Sequence, residues 1–372
     1  MVFGPEASFA FPGEKIVVAP QRKLGRRPAL DGLRGVAILL VLLTHTSLLP
    51  NGFMGVDLFF VLSGFLITTF LYEEYGGGGR ISLKSFYKKR ARRLLPALGL
   101  MLLMALAIDL LTYRLTGWPL GVKALTSTLF VNNWLAATGH ANDLGSLNPT
   151  WSLAQEEQFY LVWPLMLLLF LHWRLKTRWL VGFLVVAIVT LVWLSPSTHQ
   201  YQIYYSPYTR SAELLFGCLG AVAWHKQFLS KSWSMLKSKS QSLGLWAMAY
   251  PLPLASTVAL LSLYGLGELL LSPQLPLEEV YLMACALTLP LVLALLTAPE
   301  GIVARLLASA PLRYLGKISY SLYLFNLLIR NAVHHYIPQA SVDTNALLTM
   351  VISVALAAVS WHLVEVRVIR RA

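Results

Sequence analysis

Apolar runs of near-membrane length recur along almost the whole chain, at about 35–50, 55–72, 94–113, 120–138, 151–172, 179–195, 208–225, 244–264, 278–298, 318–337 and 344–364. Several approach the roughly 20 residues that an α-helix needs to cross the hydrocarbon core of a bilayer. The polar intervals between them decide how many cross. Basic clusters stand in the N-terminal tail (Arg22, Lys23, Arg26, Arg27), in 80–93, in 174–178, in 226–239, in 305–317 and at Arg367, Arg370 and Arg371. Lys and Arg are retained on the cytoplasmic side, so all of these clusters belong there. If every apolar run crossed, the 174–178 cluster and each later one would fall outside. One run before residue 174 therefore does not cross, and 120–138 is the weakest, since it carries Lys123, Asn132 and Asn133. It reads as re-entrant or as lying within the bundle, where irregular backbone is tolerated if protein or water covers it. The pattern predicts an all-α integral membrane protein of about ten transmembrane helices plus that one non-spanning segment. Both termini are cytoplasmic in this reading, with a tail at 1–33, the bundle at 34–366 and a short tail at 367–372.

Composition agrees with the pattern. Hydrophobic residues make up 56% of the 372 and charged residues 13%, and mean hydropathy is +0.62. An ordinary soluble domain carries about a quarter charged residues. No stretch outside the apolar runs is long enough for a second domain, and residues 1–33 hold no continuous apolar run of the signal-peptide kind. The net charge of +13 follows from cytoplasmic retention of basic loops and needs no nucleic-acid partner. Cys218 and Cys285 are too few and too scattered for a disulfide framework or a metal site. Gly76 to Gly79 read as a flexible tract in the basic loop.

Ionisable residues inside such runs are costly and usually functional. Arg34 and His45 lie eleven positions apart in the first run, about three helical turns or 16 Å on a shared face. Asp57 opens the second run; it reads as a carboxylate that orients His45 and equally as a first-turn helix acid. Glu156 and Glu157 sit one turn into 151–172, with Tyr160 four residues beyond Glu156. Adjacent helical residues diverge by about 100°, so only one of the two carboxylates is expected to face a substrate. Arg90 and Arg93 form an R-x-x-R pair ahead of the third run, where planar guanidinium forks suit phosphate and basic residues also serve as positive-inside anchors. Ser319, Tyr323, Asn326 and Arg330 recur at i, i+4, i+7 and i+11, a polar stripe that points into the bundle. His334 and His335 follow it; adjacent side chains diverge and no third ligand accompanies them, so no metal centre is expected.

These residues fall in an ordered set of stretches: LDGLRGVAILLVLLTH, GVDLFFVLSGFLIT, FYKKRARRLLPAL, NPTWSLAQEEQFYLVWPL, RSAELLFGCLGA and LGKISYSLYLF. In this order, across nearly the whole chain, they resemble the membrane-bound acyltransferase-3 family, bacterial enzymes that commonly O-acylate cell-envelope sugars. The resemblance implies that His45 is essential and Arg34 supports it. It implies that Arg90 and Arg93 hold the phosphates of acyl-coenzyme A from the cytoplasm, and that Asp57, Trp151, Glu156, Glu157 and Tyr160 surround the reaction chamber. Two departures stand out. Asn326 occupies the place where many members carry a second histidine, and the closing stretch around Glu365 lacks a proline that often follows it. No extracellular hydrolase-like domain is fused at the C-terminus, so a stand-alone member is expected.

The expected activity is acyl transfer, acetyl by family frequency, from acyl-coenzyme A as co-substrate to a hydroxyl of a sugar, a lipid-linked sugar or a small acceptor, in the cytoplasmic membrane. No permanently bound cofactor and no nucleic-acid partner are expected. His45 is the general base or forms an acyl-histidine intermediate. Asp57 or Glu156 orients it, and Asn133, Tyr160 or Trp151 donates to the oxyanion. Asn326, Tyr323 and Arg330 complete the chamber. The alternative from another class is a transporter with His45, the carboxylates and Arg330 as a proton relay.

Overall fold

The computed structural model describes residues 23–112, 119–195, 200–225, 256 and 277–370. Among these residues there is no β-strand. Three long helices come first: α1 (Pro28–His45), α2 (Gly55–Gly78) and α3 (Leu83–Thr112). The short α4 (Leu120–Thr128) and α5 (Asn132–Leu135) precede α6 (Thr150–His172) and α7 (Thr177–Trp193). After them run α8 (Gln200–Tyr205) and α9 (Pro207–His225). The last third holds α10 (Leu277–Thr297), α11 (Ile302–Leu307), α12 (Ala310–Tyr336) and α13 (Val342–Ser360). A π-helical turn, Trp361–Glu365, carries α13 on into α14 (Val366–Arg370). The apolar run 244–264, apart from Ser256, and the basic loop 226–239 lie outside the described residues.

Among the described residues four helical stretches are long and apolar enough to cross a membrane: Pro28–His45, Gly52–Gly78, Leu83–Ile108 and Val342–Arg370. Thr177–Trp193 and Tyr281–Thr297 are shorter apolar helices. The outward faces of α7 (Val185, Val186, Val189, Trp193) and α13 (Leu347, Val351, Ile352, Val359) are exposed and apolar. On a water-soluble protein such continuous apolar faces would be a liability; against lipid tails they need no cover. By contrast α6, α9 and α12, at 23, 19 and 27 residues, each bury three polar side chains.

Two seams hold the centre together. At the first, α1 crosses α12 so closely that a Cβ on Gly316 would lie 1.8 Å from the Asp31 carbonyl oxygen, and one on Gly35 would lie 2.1 Å from that of Leu312. At the second, α2 meets α9, and a Cβ on Gly64 would lie 1.8 Å from the Leu214 carbonyl oxygen. Small residues let helix backbones approach where lipid supplies no hydrophobic drive between helices. The aliphatic core packs around both seams, with Ile38, Val41, Leu322 and Phe325 at the first and Leu71, Leu215 and Val222 beside the second.

The structure corrects two expectations, at the start of α1 and at the glycine tract. α1 begins at Pro28, well before the apolar run, because proline at the first turn and Asp31 there both suit a helix N-terminus. Gly76 to Gly78 are helical and continue α2, which ends at Gly79 in the left-handed conformation with φ 68°. Residues 120–138 form no continuous helix: α4 has 9 residues, about 14 Å, less than half the hydrocarbon thickness. A buried polar network pins this segment to α6. Asn132 Nδ2 donates to Thr150 Oγ1 at 2.6 Å, Asn133 Nδ2 donates to Gln155 Oε1 at 2.9 Å, and Gln158 Nε2 donates to the Phe130 carbonyl at 2.6 Å. Such satisfied amides make polar side chains tolerable inside an apolar bundle.

Candidate active site

The α1–α12 seam sets residues of the two helices face to face. Near the N-terminal end of α1, Arg34 Nη2 donates to Ser319 Oγ at 3.3 Å. At its C-terminal end, His45 Nδ1 meets Asn326 Oδ1. A carbonyl oxygen only accepts, so the ring nitrogen carries the proton and Nε2 is left as the acceptor of a neutral imidazole. Asn326 is fully buried, and its Nδ2 has no hydrogen-bond partner.

Four hollows lie along this seam. One of about 450 Å³ opens at the N-terminal end of α1, lined by Arg26, Arg27, Arg34, Lys89, Arg93 and Lys317. Arg34 is shared with the next, a narrow cavity of about 60 Å³ that also touches Glu156, Ser319 and Tyr323. Tyr323 and Val56 are shared in turn with a third, again about 60 Å³, lined by His45, Asn148, Trp151, Tyr204 and Tyr205. The fourth, of about 370 Å³, lies at the far end of α12 and is lined by Lys123, Arg330, His334 and His335. His45 thus sits between two wider openings. A larger hollow of about 950 Å³ between α6 and α7 is lined by Phe159, Trp163, Trp179 and Val186 and by no charged group, so it offers no chemistry.

On α6 the two carboxylates part company, as a 100° rotation per residue requires. Glu156 Oε1 accepts from Ser63 Oγ at 2.8 Å and Oε2 from Tyr160 OH at 3.4 Å, beside the narrow cavity. Glu157 turns to α3 and pairs with Arg90 at 2.5 Å. The Arg90 guanidinium lies 3.5 Å above the Tyr160 ring, a stacked geometry that Arg favours. Of the R-x-x-R pair, Arg93 lines the wide basic hollow and Arg90 is committed to α6. Trp151 packs edge-on to Phe60 and Tyr205 and forms a wall of the His45 cavity, and Tyr323 OH accepts from Ser152 Oγ at 2.7 Å.

Two expected roles change. Asn133 is locked to Gln155 and Gln158, so its amide braces α5 against α6 and has no free donor for a reacting oxygen. Asp57 does not meet His45. It pairs with Arg210, which also pairs with Glu213 at 2.6 Å, all three with side chains no more than 1% exposed. The Arg210 guanidinium lies over Tyr281 at 4.1 Å, Tyr204 at 5.0 Å and Trp151 at 5.6 Å. Asp57 stands in the first turn of α2, on the side that faces α9, where Arg210 supplies the opposite charge. Arg210 and Glu213 were not singled out from the sequence, although an ionisable i, i+3 pair inside an apolar run carries the same signal as Arg34 and His45.

Comparison with known proteins decides the family. Residues 27–364 match the model of the acyltransferase domain of the acyltransferase-3 family. The chain belongs to that family. The match spans both seams and the narrow cavities beside Arg34 and His45. Two of the relatives that the chain matches illustrate the likeness. Peptidoglycan O-acetyltransferase OatA of Listeria monocytogenes is 31% identical over 312 residues, 80% of this chain and 48% of the relative. O-acetyltransferase OatA of Staphylococcus aureus is 30% identical over 352 residues, 91% of this chain and 56% of the relative. The chain therefore spans about half the length of these relatives. No solved structure matches it. With its family and its long apolar helices, this acyltransferase-3 member is a multi-pass membrane protein.

Proposed function

We propose that the protein is an O-acetyltransferase that moves an acetyl group from acetyl-coenzyme A, through the bundle, to a hydroxyl of a cell-wall glycan. The single observation that carries this reading is the position of His45 midway along a row of hollows, with a basic opening at each end. The names of the relatives support the acetyl group and the glycan acceptor. Transport, the other class of function that buried charges allow, gains no support from them.

In this mechanism the donor enters at the hollow lined by Arg93, Lys89 and Lys317, whose cations suit its phosphates. Its thioester passes Arg34 and reaches the Tyr323 side of the His45 cavity. His45 Nε2 takes the proton of the acceptor hydroxyl as the oxygen attacks the thioester carbonyl. Asn326 keeps the proton on Nδ1, so Nε2 is basic when the hydroxyl arrives. Of the three donors expected for the developing oxyanion, Asn133 and Tyr160 are engaged elsewhere, and Trp151, in the wall of the His45 cavity, takes the role. The carbon–sulfur bond then breaks, and the imidazolium returns its proton to the thiolate, giving the ester and free coenzyme A. Glu156, held by Ser63 and Tyr160, lies beside Arg34 and offsets its charge along the path.

The topology that goes with this mechanism has the donor end cytoplasmic, 120–147 on the outer side and ten crossings. The purified full chain, given acetyl-coenzyme A and soluble wall glycan, is expected to release coenzyme A and form base-labile acetyl esters. Uptake of glycan into liposomes with no coenzyme A released would overturn the enzymatic reading.

A further inference from the structure

Arg210 reaches further than its two carboxylates. Its Nε donates to the Tyr204 main-chain carbonyl at 2.8 Å, and its guanidinium lies over the rings of Tyr204 at 5.0 Å and Trp151 at 5.6 Å. Both rings stand in the wall of the cavity that holds His45. They also pack on each other, with centroids 5.1 Å apart. One fully buried side chain of α9 therefore ties α8 and the start of α6 to the reaction cavity.

Stability alone gives no reason for this arrangement. A buried ion network can often be replaced by apolar side chains of similar volume without loss, so its charges are weak evidence of a stabilising role. What an apolar residue at 210 would lack is directional: an N–H for the Tyr204 carbonyl and a flat cation against the indole. α8 has six residues, too few to persist as a helix without tertiary contacts, so the bond to its carbonyl fixes where Tyr204 stands. Trp151 depends on such support more. Its indole N–H is the oxyanion donor of the proposed mechanism, and a donor of that kind works only when it is aimed, within hydrogen-bond distance, at the place where charge develops. Among the described residues no hydrogen bond engages that N–H. Its direction is therefore set by what packs on the ring: Phe60, Tyr204, Tyr205 and the Arg210 guanidinium.

We propose that Arg210 is a positioning residue for acetyl transfer: it holds Trp151, directly and through Tyr204, so that the indole N–H faces the reaction cavity. The proposal rests on the acetyltransferase reading for what Trp151 does at the oxyanion, but its geometric half is read without turnover.

Two variants of the full chain separate this role from folding. Arg210→Lys keeps a counter-charge beside Asp57 and Glu213 but loses the planar stack and the bond to the Tyr204 carbonyl. Arg210→Leu combined with Asp57→Asn and Glu213→Gln leaves no isolated charge. Each is expected to lower kcat about tenfold or more while both KM values stay within about twofold, the pattern of an interaction made only in the transition state. Trp151→Phe keeps a ring but removes the N–H, and is expected to lower kcat by about 10². Added to Trp151→Phe, Arg210→Lys is expected to cost little more, because no donor remains to be aimed. In the chain labelled with 5-fluorotryptophan, the Trp151 fluorine resonance, assigned by its loss in Trp151→Phe, is expected to be one sharp line that broadens or divides in Arg210→Lys. An unchanged kcat in Arg210→Lys overturns the proposal, as does its full loss on top of Trp151→Phe or a Trp151 line that stays single and sharp. A broadened line in a chain whose unmodified form transfers no acetyl group strikes only at the enzymatic reading; transfer with an unaltered line strikes only at this one.

Discussion

Asn326 holds the Nδ1 side of the His45 ring across the α1–α12 seam. The contact joins residues 281 positions apart in the chain, and it exists because Gly35 and Gly316 let the two backbones nearly touch. Asn326, the residue that the sequence marks as a departure from the family pattern, is therefore the one that meets the His45 ring.

His45→Ala is expected to lower acetyl transfer by at least the 10²–10⁴ that a general base contributes, with thermal stability almost unchanged. Asn326→Leu removes the contact that orients the ring, and is expected to lower kcat by about 10². Asn326→His, which can still receive from Nδ1, is expected to retain more activity than the Leu variant. Initial rates of coenzyme A release at saturating substrates decide the order; equal rates for the Leu and His variants would remove Asn326 from the mechanism.

Arg90 and Arg93 are expected to differ. Arg93→Gln should raise the donor KM about tenfold or more, since a charged contact with phosphate contributes about 1.5–3 kcal/mol, and should leave the acceptor KM in place. Arg90→Gln leaves the partly buried Glu157 without its partner, so its first effect is on stability, and Glu157→Gln in the same chain should recover part of the loss. Melting temperatures and donor KM values for the single and double variants measure the coupling; identical KM effects of the two arginines would return Arg90 to the donor site.

How much of this arrangement the sequence discloses depends on the element. The stripe Ser319, Tyr323, Asn326, Arg330 is legible because a 3.6-residue period marks one helix face, and in the structure that face lines three of the hollows along α12. The break in 120–138 is legible because Lys123, Asn132 and Asn133 interrupt an apolar run. What the sequence does not disclose is rotation: nothing in it says that Asp57 turns toward α9 and finds Arg210, 153 positions away. Which of Glu156 and Glu157 faces the cavity is equally a matter of how α6 is rotated, and only the packed bundle fixes that angle.

The Asp57–Arg210–Glu213 group is expected to govern stability. Arg210→Leu leaves two buried carboxylates without a counter-charge and should cost about 3–5 kcal/mol. Adding Asp57→Asn and Glu213→Gln to Arg210→Leu should recover much of it, because no isolated charge remains. Thermal unfolding in detergent is the measurement, and a triple variant no more stable than the single one would mean that Arg210 acts through its packing on Tyr204, Tyr281 and Trp151.

The glycines divide by what a methyl group would meet. Gly316→Ala forces a Cβ to within 1.8 Å of the Asp31 carbonyl oxygen, so the seam must open, at a cost of about 1–3 kcal/mol and with loss of transfer as His45 and Asn326 separate. Gly99→Ala, in α3, meets nothing within 4 Å and should stabilise by about 0.5–1 kcal/mol, the helix preference of Ala over Gly. If both variants melt alike, close backbone approach is not what holds α1 against α12.

The proposed topology places Gly117 and Asp143 on the same, outer side of the membrane. The reason is the broken segment between them: α4 has 9 residues and α5 has 4, too short to cross about 30 Å of hydrocarbon, and their buried amides bond to α6 on the way. Arg80, just beyond the end of α2 in a basic loop, belongs on the opposite side. Single cysteines at these three positions, in a chain whose buried Cys218 and Cys285 are replaced by Ala, should separate cleanly. Gly117→Cys and Asp143→Cys should react with a membrane-impermeant maleimide on intact cells, and Arg80→Cys only after the membrane is opened. Labelling of the first two from opposite sides would mean that 120–138 crosses. Every later helix would then invert, and the donor and acceptor hollows would no longer open to the two faces that acetyl transfer across the membrane requires.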